Sequence, residues 1–125
     1  MISLKGLPLP VPVNRQWRSG KDGVYLSAEA RKKRNAIAAA IHAQIGGQPK
    51  EPITGPCTIS ITWTPRDNRL ADVDAYIKGC LDAITQAGCW LDDKQVDLVS
   101  CERLPTPKHP GSWSCEIWAI EEGRI

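Results

Sequence analysis

The stretch RDNRLADVDAYIKGCLDAITQAGCWLDDKQV, residues 66–96, decides how the rest of the chain is read. It holds two acidic pairs, Asp72/Asp74 and Asp92/Asp93, on either side of an amphipathic segment. Ile77, Leu81 and Ile84 recur there at helical spacing and Gly88 follows as a stop. The spacing predicts a helix over about 74–87 that turns these three side chains inward. A rod of that length spans roughly 20 Å at 1.5 Å per residue, so the following chain must bring the second pair back if both act together. One expectation is that they do, as a carboxylate cage for a hard divalent cation.

The spacing inside the first pair constrains this. Residues two apart share a side of extended backbone but sit about 200° apart on a helix. Asp72 and Asp74 can converge on one ion only where the chain is extended or turning, so they belong just before the helix or at its cap. Lys78, one turn beyond Asp74, can lean back towards it. Oxygen ligands with no His or Cys nearby favour Mg²⁺, with Mn²⁺ as a substitute, over zinc. A structural reading stands beside this one. Asp is a favoured N-cap and first-turn residue, and Leu-Asp-Asp-Lys after a Trp makes a good polar turn.

The same residues resemble a known pattern. Asp72-Val73-Asp74-Ala75, then Lys78, then Ile84-Thr85-Gln86-Ala87-Gly88-Cys89-Trp90-Leu91-Asp92-Asp93-Lys94-Gln95-Val96 is similar to the core motif of the RusA family of Holliday junction resolvases (crossover junction endodeoxyribonucleases). These are small nucleases associated with phages and prophages. The likeness extends to the proline-rich lead-in over residues 7–12, to Asn14-Arg15-Gln16-Trp17-Arg18, and to Leu26-Ser27-Ala28-Glu29. It covers most of the chain in order, and the run around Asp92 is its specific part. One position departs: Ala75 stands where the family pattern has Asn. An Asn there would orient a carboxylate or contact DNA, so its loss bears on activity or on sequence preference at the cut.

Length and composition agree with a small enzyme. A chain of 125 residues makes one domain, spanning 1–125, with room for a real core. No run approaches the ~20 apolar residues of a membrane span, and the start lacks the layout of a secretion signal. Five cysteines without C-x-x-C spacing read as buried, reduced thiols of a cytoplasmic protein rather than a disulfide or zinc framework. The formal charge of +2 is only mildly basic, because the proposed site itself contributes acids.

Along the chain, residues 2–9 read as a first strand ended by Pro8, Pro10 and Pro12. A loop over 14–22 carries Asn14, Arg15, Arg18, Lys21 and Trp17. Basic groups interleaved with an aromatic ring suit a phosphate backbone or an unstacked base, or else a solvated loop with Trp17 folded onto the core. After a short strand over 24–26, Ser27 caps a helix with Ile37, Ile41 and Ile45 as its stripe, ended by Gly46-Gly47. Its run Arg31, Lys32, Lys33, Arg34 is a wet face or an outer part of a DNA footprint. Residues 57–64 alternate strictly, as a half-buried strand does. They lead to a basic turn, Arg66-Asp67-Asn68-Arg69, whose Arg66, Asn68 and Arg69 can hold flanking phosphates. Residues 96–104 and 112–120 read as two more strands, the first with broken alternation that calls for two covered faces or a bulge. His42 and His109 stand alone and read as structural or surface residues.

This order predicts a single α+β domain, a mixed β-sheet with two main helices packed on it. The resemblance implies metal-assisted phosphodiester hydrolysis on four-way DNA junctions. Asp72, Asp74 and Asp93 would hold Mg²⁺, and Lys78 would neutralise transition-state charge or orient the attacking water. Asp92 points away from Asp93 in extended chain, and the family pattern favours the second Asp. Two matched cuts in a nearly two-fold junction imply a C₂ homodimer. Two alternatives stand beside this: a nuclease for other branched DNA such as flaps or forks, and a non-catalytic DNA-binding protein whose acids only cap and turn.

Overall fold

Strict alternation over residues 57–64 produces β4 (Cys57–Thr64), the strand around which the sheet is built. Cys57, Ile59, Ile61 and Trp63 are at most 2% exposed, while the Thr and Ser residues between them face the other side. The computed structural model describes residues 1–20 and 23–120. In the sheet, β1 (Ile2–Leu7), β6 (Ser112–Ala119), β4 and β5 (Val96–Arg103) lie side by side in that order. β4 runs antiparallel to β6 and parallel to β5, and β6 runs antiparallel to β1. The sheet is therefore mixed, and the expected α+β domain is the one observed. A parallel neighbour needs a crossover, and α3 (Ile77–Ala87) supplies it between β4 and β5.

The inward side chains of the strands form one core with α2 (Ala28–Ile45) and α3. The Ser27 Oγ accepts from the Ala30 N–H at 3.1 Å, and Gly46 closes α2 at a φ of +84° that only glycine adopts without strain. Ile37 and Ile41 are fully buried, whereas Ile45 reaches the exposed helix end. Gln44 near that end pairs its amide with both backbone groups of Lys5, at 2.9 and 2.6 Å. This covers part of β1, an edge strand whose open backbone groups would otherwise template association. The two helices are tied by Arg34 to Asp82 (3.1 Å), Gln86 to Asn35 (2.5 Å) and the His42 Nε2 to the Ala87 carbonyl (2.7 Å). A carbonyl only accepts, so that His42 nitrogen carries the proton and the residue is structural, as expected.

Several boundaries differ from the sequence reading, each for a tertiary reason. The first strand stops at Leu7, where its register to β6 shifts between Leu4 and Leu7 around Gly6 at φ +62°. The segment expected as a loop over 14–22 is instead a single helical turn, α1 (Val13–Gln16), and a strand, β2 (Trp17–Gly20), which pairs antiparallel with β3 (Gly23–Leu26), the short strand expected over 24–26; Lys21 and Asp22 lie outside the described residues. Trp17 is 48% exposed, not folded onto the core. α3 begins at Ile77 rather than near Asp74, because residues 73–76 form a turn. Its buried face is Cys80, Ala83, Ile84 and Ala87, with Ile77 and Leu81 at the rim. On β5 the pairing moves from Cys57 with Val96 to Thr58 with Leu98, so Asp97 is the extra residue of a bulge. That bulge explains the broken alternation, and it leaves Leu98 62% exposed.

All five cysteines are free, four of them buried and Cys101 half-buried. Burial pushes the Cys89 thiol up to about 11 and that of Cys115 up to about 12. They are packing residues at neutral pH.

α3 passes close to the proline lead-in at Gly79. A Cβ placed there would lie 2.5 Å from the Pro10 Cβ and 2.9 Å from the Gln16 Nε2. Gly79→Ala should therefore destabilise the fold by about 1–3 kcal/mol through overpacking, despite alanine's better helix propensity. Urea unfolding checks this; a stabilised variant would show that the lead-in yields freely.

Candidate active site

The chain leaves β4 at Thr64 and re-enters regular structure only at Ile77, and this connection carries Arg66, Asn68, Arg69, Asp72 and Asp74, half of the candidate residues. It follows the carboxyl end of a strand in a parallel pair, where open sheets that contain parallel strands commonly place ligand sites. With α1 it lines a cleft of about 430 Å³ that includes Asn14, Arg15, Arg66, Arg69, Asp72 and Asp74. Residues some fifty positions apart in sequence are thus brought to one cavity. Asn68 is exposed but outside the lining, and Arg18 lies on β2.

The acidic turn is held by its carbonyls. The Ala71 carbonyl accepts from the Arg103 guanidinium. The Val73 carbonyl accepts from the Trp63 Nε1 (3.0 Å) and the Cys101 Sγ (3.4 Å), and the Ala75 carbonyl from the Val13 N–H (3.0 Å). Each aspartate therefore lies between two anchored peptide groups. Within the turn, the Ala75 N–H donates to the Asp72 carbonyl at 3.0 Å and the Ile77 N–H to that of Asp74 at 3.3 Å. Trp63 and Arg103 are register partners on β4 and β5, so the two strand ends grip successive carbonyls of the turn. Trp63 also packs edge-on against Tyr76, with ring centroids 4.7 Å apart. Asp74 lies near Cys101, whose thiol is pushed up first by burial and further by that carboxylate.

Charges in the cleft divide into two kinds. Asp67 holds the Arg69 guanidinium at 2.9 Å and approaches Arg66 at 3.6 Å, and the hydrogen bond from Arg69 depresses the Asp67 carboxyl. Arg15 approaches Glu29 at 3.7 Å. Among the described residues, no Lys, Arg or His nitrogen stands within 4.0 Å of either the Asp72 or the Asp74 carboxylate. Both are exposed.

Asp93 stands elsewhere in the network. Its carboxylate accepts from the Lys78 Nζ at 2.9 Å, and Lys78 also reaches Asp82 at 3.0 Å. These bonds, Asp93 first, raise the Lys78 pKa above its usual value and keep it cationic. Lys78 thus turns forward to Asp82 and Asp93 instead of back to Asp74, because Asp74 precedes α3 while Asp82 sits one turn along it. Asp92 is the N-cap of a short 3₁₀ turn, Asp93–Gln95. Its carboxylate accepts from the Lys94 N–H at 2.9 Å, which lowers its pKa, while Gln95 accepts from the Leu91 and Asp92 N–H groups. Gln95 also donates to the Ile53 and Gly55 carbonyls, fixing this turn against the chain that enters β4.

Among the described residues, no three Asp, Glu, His or Cys side chains stand close enough together to hold a metal ion. The donor set nonetheless suits a hard cation. Mg²⁺ is commonly held by one or two carboxylates, with its remaining positions left to water and substrate phosphates. Asp72 and Asp74 offer two such groups, without counter-charge, in a cleft whose arginines could bring phosphates to them.

Sequence reasoning missed Asp82, Gln95, Asp67 and the part that Trp63 and Arg103 play in anchoring the turn's carbonyls. Lys78 to Asp82 at i,i+4 and the Asp92-x-x-Gln95 capping box were visible signals. Trp63 and Arg103 carried none, since their partners lie ten and thirty-two residues away.

Comparison with known proteins bears on the same residues. A family model described as Endodeoxyribonuclease RusA matches residues 8–112. A protein of Enterobacteria phage 82 named crossover junction endodeoxyribonuclease is 33% identical over 102 residues, covering 82% of each chain. Proteins of the same name from Escherichia coli K12 and Shigella sonnei are 33% and 32% identical over 105 residues, again covering 82% of each chain. The matched span runs from the proline lead-in through the arginine-rimmed cleft, the acidic turn and the capped 3₁₀ turn to the start of β6, and on that footing the chain belongs to the RusA family of endodeoxyribonucleases.

Proposed function

We propose that this protein is a crossover junction endodeoxyribonuclease that resolves four-way DNA junctions by hydrolysing phosphodiester bonds with Mg²⁺, Mn²⁺ serving as a substitute. The observation that carries the reading is the pair of aspartates without counter-charge, each between anchored peptide groups, in a cleft that also holds Arg15, Arg66 and Arg69. The names of the relatives supply the junction as substrate. Asp72 and Asp74 would hold the cation, and Asp93 would complete the set when Lys78 releases it. Bound there, the cation supplies a lowered pKa for water and neutralises charge on the reacting phosphate.

The chain's own residues do the rest. Arg15, Arg66 and Arg69 hold phosphates on either side of the reacting one, while Asn14, Asn68 and Arg18 extend the footprint. Lys78 remains protonated and offsets charge that develops in the transition state. A water oxygen bonds to phosphorus as one ester P–O bond breaks, and the departing sugar oxygen takes up a proton. Water is excluded only partly from so open a cleft, which suits a large nucleic acid substrate. Paired cuts need two sites, which a C₂ homodimer provides. Among the described residues no helix is long and apolar enough to cross a membrane, and the cytoplasm is the proposed location.

The deciding assay is cleavage of a synthetic four-way junction with Mg²⁺ or Mn²⁺ beside a linear duplex of the same sequence. Metal-dependent cutting of the junction alone is expected, and equal cutting of both would remove the junction specificity. Flap and fork substrates separate the other branched-DNA reading. A second expectation concerns phosphate contacts. Arg66→Ala should lower the slope of log affinity against log salt by about 0.9 if Arg66 neutralises one phosphate. An unchanged slope in a titration of junction binding would take it out of the footprint.

A further inference from the structure

We propose that Arg103 is a positioning residue for Asp72: its guanidinium, by holding the Ala71 carbonyl, fixes the peptide group that precedes the first carboxylate. The inference rests on the nuclease reading of Asp72 and Asp74. Arg103 is the last residue of β5 and is exposed, so the core does not require it. It enters neither the cleft lining nor, among the described residues, any salt bridge.

The anchors of the turn divide the work. Trp63 and Cys101 hold the Val73 carbonyl, in the peptide group that precedes Asp74, and the Val13 N–H holds the Ala75 carbonyl one residue beyond it, so Asp74 is bracketed from the core and from α1. The peptide ahead of Asp72 depends on Arg103. An anchored peptide group sets the backbone dihedrals beside it, and these set the direction of the Cβ and of the carboxylate. Two carboxylates that share one cation must be placed to a fraction of an ångström. Loss of the Arg103 contact would release Asp72 while leaving Asp74 in place. The cost would then fall on cation binding and turnover, not on the grip on DNA.

Arg103→Met, which keeps length but donates nothing, tests this with Arg103→Lys as the rescuing variant. Hydrogen exchange at the Ala75 amide, which bonds to the Asp72 carbonyl, should quicken by about tenfold or more, with strand amides unchanged. Mn²⁺ binding measured calorimetrically without DNA should weaken, and turnover at saturating junction should fall by about 10–100-fold. Junction affinity in EDTA should stay within about twofold of wild type, and Arg103→Lys should recover most of the loss. Unchanged exchange and unchanged Mn²⁺ affinity would overturn the proposal. Weakened junction affinity with unchanged turnover would also overturn it, by making Arg103 a phosphate contact. A wild-type protein that neither binds Mn²⁺ nor cuts junctions would end the nuclease reading, while exchange at Ala75 would still decide whether Arg103 holds the turn.

Discussion

Asp74→Asn should lower the rate of junction cleavage by at least about 10³-fold while junction binding stays intact or tightens. The substitution keeps the shape of the side chain and changes only its charge. Asp74 has no cationic partner among the described residues, so the fold loses no ion pair and melting should hardly move. The cleft loses one negative charge that faces a polyanion, which favours binding. Loss of activity together with loss of binding would point to a structural aspartate instead. Cleavage at the wild-type rate would remove Asp74 from the reaction altogether. Single-turnover cleavage and gel retardation without metal, run on one preparation, give both numbers.

Trp63→Ala should be the costliest single truncation for stability. Trp63 is 1% exposed at the end of the central strand, packs edge-on against Tyr76 and donates to the Val73 carbonyl. Removing such a ring costs about 3–5 kcal/mol, against a total of roughly 5–15 kcal/mol for domains of this kind. Melting should fall by roughly 10–20 °C, measured by calorimetry or circular dichroism. Trp63→Phe separates packing from anchoring. It retains most of the apolar contact but loses the donor, for about 1–2 kcal/mol, and cleavage should suffer more than stability because the turn between Asp72 and Asp74 loses an anchor. A Trp63→Ala variant that melts like wild type would mean that the end of β4 bears little of the core.

Much of this arrangement is legible in the amino-acid sequence. The alternation over residues 57–64, the Ser27 cap, the Gly46 and Gly88 stops and the acidic run each depend on contacts within about one helical turn or one strand, which composition and spacing encode directly. For the same reason the mixed α+β sheet and the placing of Asp72 and Asp74 in a turn ahead of α3 could be read from residue order. The resemblance carried by residues 84–96 added the junction and the family.

Tertiary structure decided what crosses the sheet. The bulge at Asp97 follows from matching β5 to a parallel neighbour, and that match depends on register, which no local pattern states. β2 replaces part of a loop expected over 14–22, because it pairs with the expected short strand at 24–26 without a strong apolar alternation of its own to announce it. Lys78 finds Asp93 fifteen residues on, and the acidic turn is gripped by Trp63 and Arg103 from two strand ends. The amino-acid order thus supplied the candidate carboxylates and their local frame, while the assembly of distant strands fixed the peptide groups around them.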